Sequence, residues 1–136
     1  MADIAVTAAN VKIGAGGAPI PGNSGGAFAA GDLVAKNSNG DIVQADANGA
    51  APINVPVGIA LNSCPGAGQP CSYTNDAPAL EGFTTTQGAV YVASANPGKV
   101  CPAADEASGN TVTFVGIGDA GNKMAVGMYA PGIAVP

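Results

Sequence analysis

The sequence predicts an all-β protein with at most a short helix. Its expected form is a small β-barrel or β-sandwich-like body, built on two related β-hairpin units and preceded by an extended N-terminal arm. Three observations carry this expectation. The stretch 31–61 (GDLVAKNSNGDIVQADANGAAPINVPVGIAL) returns at 88–119 (GAVYVASANPGKVCPAADEASGNTVTFVGIGD), so one unit is written twice. Asn39-Gly40, answered by Pro97-Gly98, is a hairpin turn signal, and the Asn-Gly pair suits the type I′ turn that needs positive φ. Finally, 21 Gly and 11 Pro punctuate the 136 residues too often for long helices.

Residues 1–13 alternate Ile4, Val6 and Ala8, then Val11 and Ile13, which is a strand or extended-arm pattern. Residues 14–30 (GAGGAPIPGNSGGAFAA) read as a flexible linker, because their composition holds no regular structure by itself. Residues 1–30 are therefore taken as arm and linker, and 31–136 as one β-rich domain.

Within the first unit, Gly31-Asp32-Leu33-Val34 opens a strand, Asn39-Gly40 turns it, Ile42-Val43 returns, and Val57-Gly58-Ile59 closes. Gly88-Ala89-Val90-Tyr91, Pro97-Gly98, Val100-Cys101 and Val115-Gly116-Ile117 answer in order, and Asp46 is matched by Asp105. A glycine inside the last strand of each copy predicts a bulge or a close backbone approach. Residues 62–82 (NSCPGAGQPCSYTNDAPALEG) read as a polar surface lobe or contact loop, with at most one helical turn near 77–81. Thr84 to Thr86 favour extended backbone leading into the second unit. A further strand is expected at Met124 to Met128, and the apolar end 129–136 is expected to lie against the body or a partner.

Composition restricts function. The chain is 47% hydrophobic but only 4% aromatic and has no Trp, so each buried side chain removes little area from water. A thin core leaves little net stability, which points to support from oligomerisation or a host surface. Four lysines, no arginine and a formal charge of −5 argue against a nucleic-acid partner. No basic start leads into an apolar run with a cleavage site, and no run of about 18 apolar residues occurs. The chain is therefore expected to be soluble, without a signal peptide and without a membrane span.

Candidate chemistry is sparse. Gly22-Asn23-Ser24-Gly25-Gly26 looks like a serine-protease nucleophile loop, but a chain without His has no imidazole to take the proton. The 14–19 stretch GAGGAP lacks the Gly-Lys-Ser/Thr of a phosphate loop. Asp76 and Glu81 sit in a polar setting that gives no reason for acid catalysis. Cys64 and Cys71 could form a disulfide across CPGAGQPC, or remain reduced thiols as a cytosolic protein would keep them. Three Cys without His do not make the usual structural zinc site. No enzyme activity, metal or cofactor is expected.

The repeated turn-and-strand pattern over residues 31–128, with its Ala/Gly-rich, Arg-poor texture, resembles the decoration or cement proteins of tailed-phage heads, of the lambda type. That resemblance implies a structural virion protein on the exterior of an expanded icosahedral capsid. It would bind the major capsid protein across capsomers as a homotrimer, after passing through the host cytoplasm during assembly. Ile4, Val6, Val11 and Ile13 are then the expected capsid contacts, an arm able to add a strand to an exposed sheet edge. Ile133 and Val135 are expected to touch the shell or a neighbouring copy. Relative to that family the chain is longer, mostly through 62–82, and carries three cysteines. The alternative is a receptor- or carbohydrate-binding module of a head fibre or tail, for which exposed aromatic residues would be the sign.

Overall fold

Short apolar runs bounded by Gly, Pro and Asn each make one strand, and the computed structural model describes residues 3–106 and 108–129 of the chain. β1 (Ile20–Asn23), β2 (Leu33–Lys36), β3 (Ile42–Gln44), β4 (Gly58–Ala60) and β5 (Pro70–Thr74) form a five-stranded antiparallel sheet. Its order is β1-β5-β4-β2-β3. β6 (Asp76–Glu81), β7 (Val90–Ala93), β8 (Val100–Pro102), β9 (Phe114–Asp119) and β10 (Lys123–Tyr129) form the second, in the order β6-β10-β9-β7-β8. Adding five to every label converts the first order into the second, so the sequence repeat is a topological repeat. The helical content described is confined to 3-10 turns at Ala8–Asn10 and Ala103–Asp105.

Register repeats as well. Leu33 faces Ile59 and Val34 faces Gly58 in the first sheet; Val90 faces Ile117 and Tyr91 faces Gly116 in the second. The two strand glycines are close approaches. A Cβ on Gly58 would lie 2.6 Å from the Tyr73 ring, and one on Gly116 would lie 2.4 Å from the Ala125 carbonyl oxygen. Next to Gly116 the ladder also shifts register, between Tyr91 and Val92.

The Asn39-Gly40 turn differs from the type I′ expectation, because Gly40 alone has positive φ, at 82°. Asn37 explains this: its side-chain oxygen accepts the N–H groups of Asn39 and Asp41 at 2.9 and 3.0 Å, and Gly40 N–H donates to Asn37 O. The result is a type I turn followed by a left-handed glycine.

Each sheet curls around its own apolar interior. Val34, Ile42, Ala60, Cys71 and Tyr73 point to one side of the first sheet, where Phe28 and Cys64 cover them. Its two edges meet where Ser24, just past β1, bridges Ile42, and Gly25 N–H donates to Ile42 O at 2.7 Å. The second interior holds Leu80, Tyr91, Ala93, Val100, Met124 and Val126, and the opposite face of the first sheet, Leu33, Ala35 and Ile59, packs into the same cluster. The outside of the first unit is thus part of the main core.

Three expectations are corrected. Residues 14–30 are not a linker: β1 pairs with β5, and Ser24 and Phe28 are buried. Pro21 is tolerated because β1 is an edge strand, where a missing N–H costs no central ladder bond. Residues 62–82 are not a lobe, since they carry β5 and β6, the last strand of one unit and the first of the next. The units therefore run from β1 to β5 and from β6 to β10, wider than 31–61 and 88–119.

The N-terminal arm is not free either. It runs between the edges of the second sheet, with Ile4 N–H donating to Val100 O at 2.9 Å, Thr84 N–H to Ala5 O at 2.9 Å and Glu81 N–H to Lys12 O at 2.9 Å. Ile4, Val6, Val11 and Ile13 are half-buried against the main core. A Cβ on Gly31 would stand 2.4 Å from Val6, so the body is shaped to receive the arm. The arm is interrupted by the 3-10 turn at Ala8–Asn10, with isolated bridges at Val6 and Lys12 on either side, and its apolar residues are satisfied within the chain.

Candidate functional site

Residues paired across an antiparallel sheet share a face. On the outward face of the second sheet, Ile117 lies between Val90 and Ala125, and Phe114 lies between Val92 and Tyr129. The register shift beside Gly116 turns Val115 into the core, where it is fully buried, and leaves Phe114 outside. β10 alternates cleanly, burying Met124 and Val126 and exposing Ala125, Gly127 and Tyr129. Exposure is 40% for Val90, 41% for Phe114, 50% for Ile117 and 64% for Tyr129.

The corresponding positions of the first unit, Leu33 and Ile59, are 1% and 0% exposed. Chemistry at the two places is the same; the surroundings differ. The first unit has the second unit's interior and the arm against this face, whereas on the second unit Val92 and Cys101 towards β8 are buried and Val90, Phe114, Ile117 and Tyr129 stay exposed. Solvated faces of antiparallel sheets normally read polar, yet the two rows contain no charged residue. Charge borders them at one end, where Lys123 stands opposite both Glu81 and Asp119, and on the β6 side, where exposed Asp76 stands opposite Gly127.

The other candidates are structural. Ser24 is buried; its Oγ donates to Gly66 O at 2.6 Å and accepts Gln69 N–H at 2.9 Å, pinning the loop before β5. A polar cleft of about 280 Å³ lies where the arm crosses β6, lined by Thr7, Asn10, Lys12, Glu81, Thr84 and Asn122 among others. Asp76 is exposed on β6 and Glu81 half-buried beside the arm. Among the described residues no group of three or more His, Cys, Asp or Glu could hold a metal ion. No described helix is long and apolar enough to cross a membrane.

All three cysteines are buried free thiols, so the Cys64–Cys71 bridge is absent. The two lie side by side on the first interior, and as reduced thiols they serve as small apolar packing groups. Burial, then the neighbouring Cys64, pushes the Cys71 thiol up. Burial foremost, followed by the carboxylates of Glu106, Asp3 and Asp105, pushes Cys101 up to about 11. Neither is a ready thiolate nucleophile. Ile133 and Val135 lie outside the described residues.

Comparison with family models, curated proteins and solved structures finds no match for this chain. The apolar face of the second unit was missed by the sequence reading. Its signal is in the repeat: Val90 and Ile117 keep the apolar chemistry of Leu33 and Ile59, though two packed units have no reason to bury the same face twice.

Proposed function

We propose that this chain is a structural virion protein that decorates and stabilises the outside of an expanded phage capsid, binding through surface rather than catalysing a reaction. The observation that carries this reading is the apolar group Val90, Phe114, Ile117 and Tyr129 exposed on one face of β7, β9 and β10, on a protein with a formal charge of −5. Contiguous exposed apolar patches mark contact surfaces on soluble proteins. The resemblance of the repeat to head decoration proteins supplies the shell as the host surface. Because the arm is spent inside the fold, the sheet face takes over the contact role expected of Ile4, Val6, Val11 and Ile13.

A receptor- or carbohydrate-binding module is the second reading, and the exposed Phe114–Tyr129 pair favours it. Sugar sites combine a stacking ring with several fixed polar groups; here the neighbours are Val90, Ile117 and Ala125, which suit a protein surface better.

Co-sedimentation with mature and immature capsids of the encoding phage tests the proposal. Saturable binding to mature shells, with a raised heating midpoint of the decorated shell, is the expected result, since a ligand of the assembled lattice stabilises it by mass action. Absence of binding to both forms, with retention on a glycan array, would replace it with the second reading.

A further inference from the structure

We infer that Cys64 and Cys71 are a redox pair: the two free thiols are the reduced state, and oxidation joins them in a disulfide that fastens the cover of the first interior to β5. The inference stands on the geometry of the first unit and does not depend on the proposed role of the exposed face of the second.

Cys64 belongs to the cover. Its N–H donates to Phe28 O at 2.9 Å and its carbonyl accepts Phe28 N–H at 3.0 Å, and the two side chains pack over the sheet together. Cys71 belongs to the sheet, as the second residue of β5. The Asn62 side chain sets one beside the other. Its oxygen accepts Ser72 N–H at 2.8 Å and its Nδ2 lies 3.5 Å from Pro70 O, so it grips β5 on both sides of Cys71, while the same Nδ2 lies 3.6 Å from Cys64 Sγ. Cys64 Sγ is in turn 3.8 Å from Pro70 O, and both thiols are buried in one apolar cluster that does not include Cys101. Between them, Pro65 and residues 67–70 are exposed, and a Cβ on Gly66 or Gly68 would meet nothing within 4 Å. The loop therefore has room to open and admit a small reagent. Ser24 restrains it: the hydroxyl holds Gly66 and Gln69, and Ser24 O accepts Gly68 N–H at 2.8 Å.

The oxidant is a low-molecular-weight disulfide of the glutathione class. One Cys thiolate attacks a sulfur of the reagent, expelling a first small thiolate and leaving a mixed disulfide; the second Cys thiolate attacks the protein sulfur and expels the other half. Two electrons pass from the cysteines to the reagent's S–S bond, and the two protons end on the two small thiols. Burial and the neighbouring Cys64 push the Cys71 thiol up, so thiolate is scarce at neutral pH and the exchange is slow there and quickens as pH rises. A reducing cytoplasm keeps the pair open, and an oxidising exterior closes it.

The test incubates the full chain with oxidised glutathione, blocks the remaining thiols after denaturation, and maps the peptides without reduction, with thermal melts alongside. Wild type and Cys101→Val should both lose two thiols to a single link between Cys64 and Cys71. The heating midpoint should rise by about 5 °C or more and return on adding dithiothreitol. Cys71→Ala should show no rise. Ser24→Ala, which frees the loop, should oxidise about threefold faster or more. Strand circular dichroism verifies folding of each variant; if Cys71→Ala does not fold, Cys64→Ala gives the same reading, and the wild-type map decides by itself. Three thiols surviving in wild type, a link to Cys101, a link between two chains, or a bridge that leaves the midpoint unchanged would each overturn the inference.

Discussion

The two units share strand order, register and a close-approach glycine, yet one face has opposite fates in them. Leu33 and Ile59 are core residues, while Val90 and Ile117 at the same places are 40% and 50% exposed. Local sequence therefore sets the topology of each unit, and the neighbour it is given decides what a position does. The capping elements make the same point. The first sheet is closed by its own residues 24 and 25, the second by the distant segment that holds Ile4 and Lys12.

Truncation at matched positions should expose the difference most strongly. Leu33→Ala removes a fully buried side chain and should cost about 2–5 kcal/mol, whereas Val90→Ala should stay within about 1 kcal/mol in monomeric protein. Urea unfolding midpoints at low protein concentration measure both. Equal losses would mean the second face is buried in the monomer.

Asp32 comes next. It is buried, accepts Ala29 N–H at 3.0 Å and Gln44 Nε2 at 2.9 Å, and lies 3.7 Å from Lys99 Nζ of the second unit. The matching residue of the second unit is Ala89, which makes no such tie. Asp32→Ala should cost about 1–3 kcal/mol, mostly from the stranded donors rather than the half-exposed lysine; a neutral result would remove this link between the units.

A smaller, pH-dependent effect separates Cys101 from Val43, its counterpart in the first unit. Burial and nearby carboxylates hold the folded Cys101 thiol at about 11 against an ordinary 9.0. Between these values the unfolded chain has released a proton that the folded chain keeps, so stability is full below 9 and declines as pH rises towards 11. Cys101→Val, which borrows the first unit's residue, should flatten that decline in thermal melts. An unchanged slope would show that another group governs it.

The all-β class and the pairing of the units were legible because Gly31 to Ile59 and Gly88 to Ile117 preserve turns and strand glycines in order. β1, β5 and β6 were not. Gly22 and Pro21 hide the first, and Pro70 and Pro78 break the apolar runs around Cys71, Tyr73, Ala77 and Leu80 that make the other two. Arm and linker were misjudged because the partners of Val6 and Lys12, Phe83 and Glu81, are distant in sequence. The open face was unreadable for a different reason: the same Val and Ile chemistry lies in a core in one copy and on an exposed face in the other.

The most direct test places one charge at the two equivalent positions, Ile59→Asp and Ile117→Asp, and follows denaturant unfolding of each. An uncompensated charge at Ile59 should abolish folding, while Ile117→Asp should leave the monomer's unfolding midpoint close to that of wild type. If Ile117→Asp also fails to fold, its face belongs to the core of the single chain, and the contrast between the two units is wrong.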